Sequence, residues 1–124
     1  MVSERMIRPA LALALFLPTG PVLAQASAVP EAAFTGTIVS TYPDGRQARL
    51  WLERDGTFRG QGRSGKRNSG RWRLAGKRIC LRQVRPAPVP FSYCAAVPEG
   101  EIGTRWGGKA VTGEPISLEV VSGR

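Results

Sequence analysis

Ten basic residues, Arg59, Arg63, Lys66, Arg67, Arg71, Arg73, Lys77, Arg78, Arg82 and Arg85, stand between Gly56 and Pro98 with no Asp or Glu among them. Guanidinium groups at that density bind anions, because each presents a planar fork of donors to phosphate or carboxylate oxygens. The formal net charge of +9 runs the same way. Nucleophilic and metal chemistry find less support. The chain has no His, which excludes Ser-His-Asp and Cys-His catalysis and the common His-bearing zinc sites. Asp44 and Asp55 each precede a glycine, and Glu99 follows Pro98, so these carboxylates read as turn caps and not as an acid–base pair. No catalytic residue, metal site or cofactor is expected, and the chain is read as non-enzymatic.

Two glycine motifs fail on context. Gly60 to Gly65 spells G-x-G-x-x-G, and Gly60 to Lys66 matches part of a phosphate-binding loop. Both need a helix N-terminus to aim amides at phosphate, and the second needs Ser or Thr after the lysine. Arg67 stands there, ahead of a β-rich run, so the glycines are read as hairpin residues.

Cys80 and Cys94 are the only cysteines. The N-terminus reads as a secretory signal: basic Arg5 and Arg8, an apolar run from Ala10 to Leu17, a Pro18–Pro21 break, and the small-x-small site Val22-Leu23-Ala24. Met6 is an alternative start. That run falls far below the roughly 20 residues that cross a bilayer, so no transmembrane segment is expected. Cleavage is placed after Ala24, with Ala26 as second choice, leaving a periplasmic or secreted protein. In an oxidising compartment an isolated cysteine pair is most simply a disulfide. Arginine outnumbers lysine heavily beside abundant Ala, Gly and Pro, as a GC-rich coding sequence yields by itself; that bias does not account for the missing acids.

These residues must be positioned by strands. Residues 25–33 lack any period and are expected to be a flexible lead-in, with one β-domain over 34–124. Turn signals recur every 8 to 12 residues from there on, the spacing of an all-β meander. Strands are expected over residues 34–42, 47–53, 57–63, 69–74, 77–83, 91–97, 102–106 and 116–121. Asp55-Gly56 between alternating runs is a strong hairpin signal. Seven or eight short antiparallel strands avoid exposed edges by curling into a partly or fully closed barrel.

Alternation along the strands then sorts the side chains. Phe58, Gly60, Gly62, Gly70, Trp72, Leu74, Ile79, Leu81, Phe91, Tyr93 and Ala95 fall inward. Arg59, Arg63, Arg71, Arg73, Arg78 and Arg82 fall outward as anion-binding candidates, with Cys80 and Cys94 on the same face, as a cross-strand bridge requires. Trp72 belongs to the core by this parity. Trp51, beside Arg49, and Trp106, at a strand end next to glycines, are the candidates for exposed aromatic contacts. Residues 85–90 form a stiff, proline-broken connection.

Asp55-Gly56-Thr57-Phe58, Gly70-Arg71-Trp72, Ile79-Cys80 and Tyr93-Cys94 together resemble a pattern in small exported alphaproteobacterial proteins of unassigned function: D-G-T-[YF], G-x-W, [LI]-C and a later Cys. The motifs span residues 55 to 94. The resemblance implies a compact β-domain with a Cys80–Cys94 bridge, and it implies no activity.

Three functional expectations follow. The first is an envelope domain whose arginine face contacts anionic lipid, lipopolysaccharide or acidic polysaccharide; export disfavours nucleic acid, and the oligomeric state is open. The second is a small barrel enclosing an apolar ligand, lined by Phe58, Trp72, Leu74 and Tyr93. The third is an inhibitor of a protease or lysozyme that inserts the loop at residues 85–90.

Overall fold

A computed structural model describes residues 29–124. The signal reading over residues 1–24, and residues 25–28 of the expected lead-in, lie outside the described residues. Helix α1 (Glu31–Thr35) is followed by strands β1 (Thr37–Thr41), β2 (Gln47–Leu52), β3 (Thr57–Gln61), β4 (Arg67–Ala75), β5 (Arg78–Arg85), β6 (Tyr93–Ala96), β7 (Arg105–Lys109) and β8 (Pro115–Val121). All pairings are antiparallel in one eight-stranded sheet of order β6-β5-β4-β3-β2-β1-β8-β7. Every strand thus lies beside its chain neighbour except at one place. The sheet curls into a nearly closed up-and-down barrel whose seam falls between β6 and β7.

One device sets the register four times. In the hairpins β1–β2, β2–β3, β3–β4 and β7–β8 the same two backbone bonds recur. Tyr42, Glu53, Gly62 and Ala110 donate N–H to the carbonyls of Arg46, Thr57, Lys66 and Glu114, and the glycine of each loop donates back to the first residue. The loop glycines Gly45, Gly56, Gly65 and Gly113 have φ of 86°, 92°, 90° and 89°. This is a type I turn closed by a residue in the left-handed region, which only glycine enters without a Cβ penalty. The loop residue before glycine reinforces it in two cases: Asp44 accepts from the Arg46 N–H at 2.9 Å, and Asp55 from the Thr57 N–H at 2.9 Å.

The seam is joined by side chains instead of a ladder. Trp106 Nε1 donates to the Ala96 carbonyl at 3.1 Å, and the Tyr93 hydroxyl donates to the Lys109 carbonyl. A disulfide joins Cys80 to Cys94, directly paired residues of β5 and β6. It ties the seam strand β6 to its one ladder neighbour.

Three local expectations are corrected. Residues 29–33 are packed, with Val29 and Ala33 buried in the core, because Pro30 opens a turn of helix whose Glu31-Ala32-Ala33 are good helix formers. That helix also takes Phe34, expected in a strand. Strand β7 runs through Gly107-Gly108-Lys109, expected to be loose, since pairing with Ser117, Ile116 and Pro115 of β8 supplies the order that glycine lacks; Ile102 lies outside the strand and is 47 % exposed.

The core gathers at one end. Val29, Ala33, Ile38, Leu52, Phe58, Ile79 and Val120 form the buried cluster, and Phe34 packs its ring 5.8 Å from that of Trp72. Helix α1 therefore plugs this mouth of the barrel. Arg124 fastens the plug, donating to the carbonyls of Ala33, Phe34 and Leu52 and pairing with Glu53 at 3.2 Å. Removing the disulfide in a Cys80→Ala/Cys94→Ala protein should lower unfolding free energy by about 3 kcal/mol, the entropy of closing a loop of about 15 residues. Urea denaturation of the double variant against wild type measures it.

Candidate functional site

Alternation on a closed sheet turns every second residue inward. Here many inward positions are small: Ser40 on β1, Ala48 on β2, Gly60 on β3, Gly70 on β4, Ala95 on β6 and Gly108 on β7. These side chains cannot fill the lumen. A cavity of about 210 Å³ results, bounded by Ile38, Leu50, Phe58, Ile79, Leu81, Tyr93, Trp106, Ile116 and Leu118 and by the small residues Ser40, Ala48, Gly60 and Ala95. A second void of about 190 Å³ shares Phe58, Asn68, Leu81, Tyr93 and Val111 with it and reaches Val89 and Phe91. The space opens at the mouth opposite α1, where Phe91 and Val111 are 51 % and 62 % exposed.

Two glycines also shape the wall. A Cβ on Gly70 would stand 2.0 Å from the Arg82 carbonyl oxygen and 2.8 Å from the Phe58 ring, so Gly70 leaves the space that the Phe58 ring occupies beside β4. At Gly60 a Cβ would meet Asn68 Oδ1 at 2.3 Å.

The open mouth is laced by charge. Arg63, in the β3–β4 turn, donates to both oxygens of Glu114 at 3.2 and 2.7 Å and lies 3.7 Å from Asp44. Its guanidinium sits 4.1 Å from the Tyr42 ring centroid, and Thr112 donates to Glu114 at 2.9 Å. Three hairpin turns are thereby joined. The hydrogen bonds from Arg63 hold the Glu114 carboxyl below its usual range, and the same contact raises Arg63. The Arg46 N–H and guanidinium lower Asp44. Burial pushes the Tyr93 phenol up.

The sequence-derived anion candidates do not all share one surface. Arg63 lies in the rim clasp instead, because it belongs to the turn and not to the strand. Arg59, on the outer face of β3, stacks 5.3 Å from Trp51 and pairs with Glu53 at 3.3 Å. Arg78 donates to the Cys94 carbonyl at 3.1 Å. Arg71, Arg73 and Arg82 remain together on the outer face of β4 and β5; Arg71 is the direct cross-strand partner of Arg82, and Arg73 of Cys80. None of those three makes a salt bridge among the described residues.

Of the aromatic candidates, Trp51 is on the outer face but half-buried, its Nε1 donating to Thr37 Oγ1 at 2.8 Å under Arg59. Trp106 faces the lumen, since β7 continues past it to Lys109 and it pairs with the inward Leu118 of β8. The expected ligand lining is met by Phe58 and Tyr93. Trp72 instead packs below α1, donating to the Glu53 carbonyl at 2.7 Å, and Leu74 is 40 % exposed near the end of β4. The loop at residues 85–90 folds back on β5 through Val89 N–H to Gln83 carbonyl at 3.2 Å and Gln83 Nε2 to Ala87 carbonyl at 3.0 Å. Gly60 to Gly65 leads into strand β4.

Asn68, Ser40, Ala48 and the rim residues Tyr42 and Glu114 were missed by sequence reasoning. The excess of small residues at inward positions is the signal that could have found the cavity. Among the described residues no group of three or more His, Cys, Asp or Glu is placed to hold a metal ion, and no helix is long and apolar enough to cross a membrane. No protein-family model, curated protein or solved structure matches the chain.

Glu114→Gln should lower Tm slightly at neutral pH. A carboxyl whose pKa is lowered by folding stabilises fully above its ordinary 4.5 and loses that contribution as pH falls through the lowered value. The Tm difference between wild type and Glu114→Gln is therefore expected to be constant above about pH 5 and to vanish as pH falls through the lowered value. Thermal unfolding across that pH series checks it.

Proposed function

We propose that this chain is a non-enzymatic binding domain whose barrel takes up one small, largely apolar molecule. The observation that carries this reading is the lumen of about 210 Å³, walled by aromatic and aliphatic side chains, plugged by α1 at one mouth and open at the other. Eight-stranded barrels are just wide enough either to fill themselves or to hold one small ligand. The inward Gly, Ala and Ser residues favour the second outcome here. An apolar cavity of about 150 Å³ takes benzene, so a substituted single ring fits this one. Burial of apolar surface, with the hydrophobic effect as driving force, makes such binding insensitive to salt.

A second reading, contact of the outer face with anionic envelope material, is favoured by one feature. Arg71 and Arg82 oppose each other across β4 and β5 with Arg73 on the same face, and among the described residues none of the three forms a salt bridge. Like charges directly opposite destabilise a sheet, and an anionic surface relieves the repulsion. Periplasmic or secreted placement is part of both readings and rests on the N-terminal signal pattern.

Calorimetric titration with propylbenzene should give binding with Kd below about 1 mM that is unchanged by added salt. Ala48→Phe, which places a ring in the lumen, should abolish it, and Ala95→Leu should weaken it. Lack of binding by the wild-type protein removes the reading. For the outer face, sedimentation with anionic vesicles should fall steeply with salt and fall further in Arg71→Glu/Arg82→Glu. Equal sedimentation with neutral vesicles counts against it.

A further inference from the structure

The two ends of the barrel differ in charge. Of the described acidic residues only Asp44 and Glu114 lie at the open mouth, in the turns β1–β2 and β7–β8, and both are already paired, Asp44 with Arg46 and Glu114 with Arg63. Glu31, Glu53, Asp55, Glu99 and Glu101 lie in α1, in the β2–β3 turn and in the β6–β7 connection, all at the plugged end. Four further cations stand at the open mouth: Lys66 and Arg67 where β3 turns into β4, Arg85 at the end of β5 and Lys109 at the end of β7. All four are exposed, and none makes a salt bridge among the described residues. Phe91, from the β5–β6 connection, and Val111, from the β7–β8 turn, stand between them, more than half exposed, and both line the second void beside the lumen. A lone exposed apolar side chain is ordinary on a protein surface. Two at the rim of an apolar opening, flanked by unpaired cations, match a partner that is anionic at its surface and apolar beneath.

We infer that the open mouth docks on an anionic lipid bilayer, with Phe91 and Val111 entering the headgroup layer while Lys66, Arg67, Arg85 and Lys109 meet the lipid phosphates. Each basic residue near such a surface strengthens attachment about fivefold. Apolar side chains buried at the boundary with the acyl chains add to it. The plugged end, which holds most of the acids, then points away from the bilayer. This surface is separate from the outer wall of β4 and β5, where Arg71 opposes Arg82. Docking does not require the lumen to be occupied. Joined to the binding reading above, it sets the opening against the hydrocarbon in which apolar molecules dissolve.

Sedimentation with vesicles of mixed phosphatidylcholine and phosphatidylglycerol, against phosphatidylcholine alone, tests it. The protein should bind the anionic vesicles, leave them as salt rises, and bind the neutral ones only weakly. Lys66→Glu/Arg67→Glu should weaken anionic binding at least about twentyfold, and Phe91→Ala, which changes no charge, about tenfold. Arg71→Glu/Arg82→Glu alters the net charge by the same amount as the mouth pair and should cost clearly less. An equal or larger loss from that pair overturns docking by the mouth in favour of the outer wall. Full binding by Phe91→Ala or by Lys66→Glu/Arg67→Glu overturns it too, as does equal binding to both kinds of vesicle or to neither. Failure of the lumen reading shows separately, in the propylbenzene titration, and leaves these vesicle results standing.

Discussion

Period-two alternation on a closing sheet is the constraint from which the rest of this molecule follows. Once β1 to β8 curl together, half their residues face a shared interior, and the volume of those residues decides whether a core or a cavity forms. At the α1 end, Ile38, Leu52, Phe58, Ile79 and Val120 are bulky enough to make a buried cluster with Val29 and Ala33. Toward the other end, Ser40, Ala48 and Gly60 are not, and the interior stays open. The same barrel is thus half core and half cavity. Its buried cluster lies at one mouth and its open space at the other.

Closure itself is incomplete, and the seam bears on the cavity. The strands β6 and β7 are joined by Trp106 to Ala96 and Tyr93 to Lys109, two side-chain bonds in place of a backbone ladder. Both side chains also line the lumen. The disulfide holds β6 in place from the other side, and the clasp of Arg63 with Glu114 and Asp44 joins three turns around the open mouth. The groups that close the barrel and those that frame its opening are therefore few and identifiable.

Much of the architecture was legible because it depends on local chemistry. Asp44-Gly45 and Asp55-Gly56 announce their turns, and the alternation of Phe58, Ile79 and Leu81 against arginines gives the faces. The Cys80–Cys94 pairing follows from the same parity. What was not legible depends on register and on distant partners. Helix α1 is too short to carry a period, and its packing is visible only once Phe34 meets Trp72. Trp106, expected to be exposed at a strand end, lines the lumen because β7 continues through Gly107 to Lys109 and pairs Trp106 with Leu118. Arg63 left the arginine face because its carboxylate partner, Glu114, comes from another hairpin. Gly60 and Gly62 were recognised as inward, yet reading them as hairpin glycines hid their second consequence, the space they leave.

Small inward residues leave an apolar lumen open at one mouth, and entry of a molecule is the property on which its function turns in our proposal. Crystals of the protein under xenon pressure test it most directly, since xenon enters apolar cavities and not water-filled polar ones. A xenon atom is expected between Phe58, Leu81 and Ile116, reached without rearrangement of α1. A lumen holding only ordered water, or one collapsed onto itself with no xenon, would contradict it.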